Sequence, residues 1–198
     1  MASSGKNTRG NSSFPPNPSQ WSAERNAISF RAHFGVHSNA PLRPFSLTLP
    51  NVTLLATIDE LRGIVDEVLL KSLFGEHRDK WSGMTIPCGD SFVVIMNETH
   101  ARTRQNATLM EEYFHIVLKH KASRVGVCPK TGLARREYDK SLEVEAYHSA
   151  AAALIPYAAM REMVRGGASR SAIARHFEVS DDLAAFRLKT CKLYRRAS

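Results

Sequence analysis

The chain has 198 residues, a formal net charge of +8 and 43% hydrophobic residues, a length that suits one domain with a sizeable core. Its three cysteines are too few and too widely spaced for a disulfide scaffold or a paired-cysteine zinc knuckle, which indicates a reducing compartment and a cytoplasmic protein. No apolar run approaches the roughly 20 residues of a membrane helix, so we expect no membrane contact.

The positive charge lies at the two ends of the chain. Residues 1–45 carry a net charge of +4 and residues 161–198 a net charge of +5, whereas the middle of the chain is nearly neutral at −1. This distribution favours basic accessory segments over a nucleic-acid-binding core, although contact of the basic C-terminus with DNA remains open.

Composition predicts three regions. Residues 1–45 begin with a run of Ser, Asn, Gly and Pro and are expected to form a disordered or weakly ordered tail. Residues 46–166 contain the periodic apolar segments of a folded domain. Residues 167–198 have helix-turn-helix character and are expected to pack on that domain as a C-terminal element.

The first half of the folded region predicts one helix and one strand. Thr57 and Glu60 have the spacing of a capping box, and apolar residues recur at helical spacing up to Gly75, so we predict a helix over 57–74. Ser91–Met96 is a short apolar run rich in β-branched residues and predicts a buried strand.

The second half is predominantly helical. A helix is predicted from about Arg104 to Lys121, and a hairpin or extended loop over 122–138. Asp139 or Ser141 can cap the next helix, which continues into an Ala-rich stretch. Three shorter helices are predicted after it, at Tyr157–Arg165, Ser169–Phe177 and from Ser180 to about Leu193.

Two of these helices carry residues that could hold a metal ion. Glu111 and His115 are four residues apart and therefore lie one above the other on a helix, with Glu112 beside them. A carboxylate from the segment around Glu143 and Glu145 could complete a three-ligand site with one position open for water. Glu112 could then take the proton from that water. On spacing alone, a solvated helix face is the more ordinary explanation of these charges.

Three segments resemble the ImmA/IrrE family of metallo-endopeptidases. Residues 104–120, RQNATLMEEYFHIVLKH, are similar to the family's RQRFTLAHELGHLLLGH. Residues 143–156, EVEAYHSAAAALIP, are similar to ExEANxFAAxLLMP, and residues 171–187 to the tail lAxxFxVSxxxxxxRL. The three segments occur in family order and cover roughly residues 91–188, so together they are fairly specific.

The resemblance implies an α+β, zincin-like fold, in which a small sheet packs against the active-site helix and a helical element follows at the C-terminus. It implies His115 and Glu145 as zinc ligands and Glu112 as the general base. It also implies a protein substrate of the kind that family members cleave, namely a helix-turn-helix transcriptional repressor, often of a mobile element.

One departure from the family affects the metal site directly. Glu111 stands where the family has the first His of HExxH. In one interpretation, Glu111 binds the metal through its carboxylate together with His115 and Glu145, a harder ligand set that tolerates manganese or iron as well as zinc. In the other, the metal site is lost and the protein is an inactive member that binds a regulator or DNA.

A second metal site can also be read from the spacing. Glu112-x-x-His115 and Glu145-x-x-His148 are two ExxH motifs, which is the spacing of di-iron carboxylate bundles. Such a site needs further Glu residues from two other helices, and the hairpin-like segment between the motifs fits a bundle poorly.

Three more residues are candidates for the walls of the cleft. His100 precedes the helix of Glu111, while Tyr147 and His148 follow Glu145 and could bind an oxyanion. Packing or exposure to solvent explains Tyr147 equally well and is the more ordinary explanation for His100 and His148.

Overall fold

A small mixed sheet lies beside the central helices. In this computed structural model, which describes residues 14–121, 124–127, 134–137 and 139–193, the strands are β1 (Val52–Leu55), β2 (Gly83–Cys88) and β3 (Ser91–Met96), in the order β1-β3-β2. β1 runs parallel to β3 and β2 runs antiparallel to it. β3 is the predicted strand Ser91–Met96, and it is central because its apolar residues are buried on both faces.

Two long helices, α4 (Arg102–Val117) and α5 (Lys140–Leu154), form the centre of the fold. Asp139 is the N-cap of α5, because its carboxylate accepts a hydrogen bond from the Ser141 amide. The alanines at 150–153 are at most 2% exposed, and their small size lets the helices approach closely. α4 contributes the large side chains of the core, Leu109, Met110, Tyr113 and Phe114.

The N-terminal segment differs from the predicted weakly ordered tail. Residues Trp21–His33 form helix α1, which packs along α5. Ala23, Ala27 and Phe30 recur at helical spacing and are buried, so this segment has an apolar face that the polar composition of its neighbours concealed. Residues 1–13 of the predicted tail lie outside the described residues.

The prediction of one continuous helix over 57–74 is wrong, because the segment forms two short helices. The capping box of Thr57 and Glu60 is confirmed and begins α2 (Ile58–Leu61). The chain then turns through Gly63, whose φ of +81° a side chain would strain, and restarts as α3 (Glu67–Lys71) with Asp66 as a new cap. A wide helical turn over Ser72–Glu76 ends the segment.

The hairpin predicted over 122–138 is present as the strands β4 (Arg124–Val127) and β5 (Ala134–Glu137), which pair antiparallel. The turn residues Pro129–Gly132 lie outside the described residues. Within the described part of the chain, no helix has the length and apolar character needed to cross a membrane.

α6 (Tyr157–Arg165) follows α5, and the predicted C-terminal element contains α7 (Arg170–His176) and α8 (Asp181–Thr190). Ser169 and Ser180 cap the last two through their side chains. A buried ion pair between Arg187 of α8 and Glu24 of α1 joins this element to the N-terminal helix. Although Arg187 is part of the basic C-terminal segment, its side chain is fully buried and therefore cannot contact DNA.

Candidate metal centre

Helices α4 and α5 bring three potential metal ligands together. Glu111, His115 and Glu143 each offer one ligand atom, and these atoms lie within 4.8 Å of one another. The Nε2 atom of His115 is 3.7 Å from a carboxylate oxygen of Glu143. Among the side chains that the structure describes, this is the one group of three such residues.

The cluster fits a metal ion by spacing and by chemistry. Ligand atoms at 2.0–2.2 Å from a tetrahedral ion are roughly 3.4 Å apart, so small side-chain movements would close the cluster around one ion. Two carboxylates and one imidazole form a set that binds zinc and also suits manganese or iron. Without a cation, the negative charges of Glu111 and Glu143 would repel each other at this distance.

The cluster opens into a cavity of about 340 Å³. Glu112 also lines this cavity, so the predicted general base faces the same space as the metal cluster. The remaining lining residues come from α4 and from the segment that leads into β2: Asp79, Lys80, Trp81, Ser82, Gly83, Arg104 and Thr108.

Glu112 is held in place by β2. The hydroxyl of Thr85 donates a 2.6 Å hydrogen bond to Oε2 of Glu112. This bond ties the carboxylate to the sheet and fixes its rotamer beside the metal cluster. Sequence reasoning missed Thr85 because β2 itself was not predicted; the available signal was the alternation of the apolar residues Met84, Ile86 and Cys88 along the segment.

Glu145, which the resemblance assigned as a ligand, lies elsewhere. Its carboxylate is 3.4 Å from Nε2 of His120, and the carboxylate in the metal cluster is that of Glu143. Side chains two positions apart on an α-helix point in directions that differ by about 200°. Glu143 and Glu145 therefore cannot both face the cavity.

The three predicted cleft residues do not line this cavity. His100 is directed at the carbonyl of Arg78. Tyr147 packs edge-on against Phe186, and burial, with a further contribution from the Glu111 carboxylate, raises the pKa of its hydroxyl.

Nδ1 of His148 is hydrogen-bonded to the side-chain amide of Gln20, and His148 lines a separate cavity together with Glu145. His148 therefore lies outside the cluster that contains His115, and the two ExxH motifs do not converge on one site as a di-iron centre would require.

These features define a cavity with a candidate metal site and an adjacent carboxylate base. The peptidase-family model described as the IrrE N-terminal-like domain matches residues 68–189, well over half of the chain, so the protein belongs to this family. The match includes α4, α5 and the C-terminal helices, as the resemblance predicted. No curated protein and no solved structure matches the chain.

Proposed function

We propose that this protein is a metal-dependent endopeptidase with a zincin-like active site. The observation that carries the proposal is the placement of Glu112, anchored by Thr85, in the same cavity as Glu111, His115 and Glu143. The membership in a peptidase family supports a hydrolase, and the donor set supports a divalent ion.

The proposed ligands are Glu111, His115 and Glu143, with Glu143 in the role that the resemblance assigned to Glu145. When bound there, a divalent ion supplies Lewis acidity toward water and toward the carbonyl of the scissile bond. Zinc is expected from the family, and the two carboxylates allow manganese or iron.

Glu112 performs the proton transfers in this proposal. Its carboxylate accepts a proton from the attacking water and returns it to the leaving amine nitrogen, so that one C–N bond breaks while one C–O bond forms. Thr85 keeps the carboxylate oriented for both steps, because the hydroxyl holds one oxygen in a fixed position.

The proposed substrate is a helix-turn-helix transcriptional repressor, as the resemblance to ImmA/IrrE proteins implies. The cavity is open to solvent, which suits a segment of another polypeptide better than an enclosed small molecule. The reducing, cytoplasmic setting expected from the cysteines is compatible with such a partner.

The test combines metal analysis with cleavage. The purified chain is loaded separately with zinc, manganese and iron, and its metal content is measured by mass spectrometry. Cleavage is followed by mass spectrometry with two probes, a purified helix-turn-helix repressor and a library of peptides from digested proteins.

Four variants distinguish residues needed for metal binding from residues needed for cleavage. We expect Glu112→Gln to keep the metal and lose cleavage, and Glu143→Gln to lose the metal. Thr85→Val should keep the metal and slow cleavage by about tenfold, since it removes one hydrogen bond to a charged group. Glu162→Gln, an exposed carboxylate on α6, is the matched control and should behave as the wild type.

Binding of none of the three metals, or full cleavage by Glu112→Gln, would overturn the proposal. The substitution of Glu111 for the family's His favours one alternative, an inactive member that binds a regulator. That alternative would show itself as stable binding of the repressor without cleavage and without metal.

A further inference from the structure

Behind the proposed metal ligand His115 lies a second histidine that the proposed mechanism does not use. The Nδ1 atom of His115 is 3.1 Å from Nδ1 of His120, and the two rings meet edge to face with centroids 5.1 Å apart. The other ring nitrogen of His115, Nε2, faces Glu143 on the opposite side. His115 therefore lies between the metal cluster and His120.

The end of α4 explains how a residue five positions further along the chain reaches His115. The amide of His120 donates to the carbonyl of His115 and the amide of Lys119 to that of Ile116, with Lys119 at a φ of +56°. These are the two bonds of a Schellman motif, which turns the chain back across the last helical turn. The turn places the His120 ring beside His115.

Beyond His120 lies Glu145. A carboxylate oxygen of Glu145 is 3.4 Å from Nε2 of His120, within ion-pair distance although not aligned as a hydrogen bond. The His120 side chain is only 4% exposed, so its Nε2 atom has little access to water. The 42% exposed Glu145 side chain has room to rotate into alignment.

The proton positions in this chain follow from one requirement. Two Nδ1 atoms at hydrogen-bond distance share one proton, so one ring donates and the other accepts. If Nε2 of His115 gives its lone pair to a metal, the proton of a neutral His115 is on Nδ1. This N–H then donates a hydrogen bond to Nδ1 of His120. The proton of His120 is then on Nε2, the nitrogen that faces Glu145.

We propose that His120 and Glu145 form a positioning relay that holds His115 in the Nδ1-protonated form and directs its Nε2 atom to the metal cluster. Metal-binding histidines commonly donate the N–H of their other ring nitrogen to a hydrogen-bond acceptor, which fixes the orientation of the ring and raises its basicity. The relay gives Glu145 a role two residues from the proposed ligand Glu143, so that α5 supplies both the ligand and the end of the relay.

This inference rests on the proposed metal site, and its test has two independent measurements. The first is the affinity of the full chain for zinc, measured by competition with a chelator. The second is nuclear magnetic resonance of ¹⁵N-labelled histidines at pH 8, which reports the protonated nitrogen of each ring and any coupling between two nitrogens across a hydrogen bond.

We expect His120→Phe to weaken zinc binding by about 10–100-fold, because the ring is kept while the acceptor is lost. His120→Asn, whose amide oxygen can accept the same bond, should recover part of that loss. Glu145→Gln should weaken binding less than His120→Phe and should add nothing in the His120→Phe background, since both act through one chain of contacts. Glu162→Gln again serves as the control.

In zinc-loaded wild-type protein, the proton should be found on Nδ1 of His115 and on Nε2 of His120, with coupling between the two Nδ1 atoms. Zinc affinity of His120→Phe within twofold of wild type, or absence of the coupling, would overturn the relay. If the wild type binds no metal, the proposed function fails, and coupling between the two Nδ1 atoms in the metal-free protein still decides whether the relay exists.

Discussion

The ion pair between Glu24 and Arg187 connects α1 with α8, and breaking it should lower the free energy of unfolding substantially. Arg187 is 0% and Glu24 1% exposed, and their side chains are directly hydrogen-bonded. Arg187 also donates to the carbonyl of Ile155 over 3.1 Å, and Glu24 accepts from the amide of Tyr157 over 3.3 Å. Each charge is thus tied both to its partner and to the junction of α5 and α6.

Removing one partner leaves the other charge buried. Arg187→Met should lower the free energy of unfolding by about 3–5 kcal/mol, the usual cost of breaking a buried pair. That is a large share of a typical total of about 5–15 kcal/mol. For a chain of this size, the midpoint of thermal unfolding should fall by roughly 6–20 °C.

The double variant Glu24→Leu/Arg187→Met should be more stable than Arg187→Met alone, because no uncompensated charge remains. Arg43→Met is the matched control, since Arg43 forms a well-aligned pair with Glu178 in which both side chains are exposed. An exposed pair contributes little, so this variant should unfold almost as the wild type does.

The measurement is thermal and urea unfolding followed by circular dichroism at one pH and salt concentration. Equal, small effects of Arg187→Met and Arg43→Met would refute the reasoning that burial sets the cost. A double variant no more stable than Arg187→Met would refute the part assigned to the stranded carboxylate.

Two further predictions concern His148 and Gly83. Burial, with a smaller contribution from Arg187, lowers the pKa of His148, so the unfolded chain binds its proton more readily and stability should fall as the pH falls below about 6.5. Unfolding of His148→Gln between pH 5 and 8 should show a shallower slope than the wild type, and an unchanged slope would contradict the assignment. A Cβ on Gly83 would lie 2.8 Å from Cγ2 of Thr108, so Gly83→Ala should destabilise the protein by about 1–3 kcal/mol. Thr108→Ser in the same chain should restore part of that loss in urea unfolding, and a purely additive result would argue against the contact.

The pair of Glu111 and His115 could be placed from the sequence because both residues lie on one helix. A spacing of four residues fixes their relative direction wherever the helix packs. The same is true of the caps at Thr57 and Ser180, which depend only on neighbouring residues. Local spacing also supported the resemblance that led to the family.

Other features depended on contacts between segments far apart in the chain. The choice between Glu143 and Glu145 is set by the rotation of α5 about its axis against α4, which no spacing within α5 encodes. Thr85 reaches Glu112 only because β2 pairs with β3 beside α4.

The sequence by itself therefore determined which helix carries the candidate site and which side chains share its face, because helical geometry is local. The tertiary structure alone decided which carboxylate of the second helix joins that face, which hydroxyl anchors the proposed base, and that the basic N-terminal segment contains a packed helix. Those outcomes depend on burial and on distances between elements, and a side chain's neighbours across the core are settled only when the whole chain has packed.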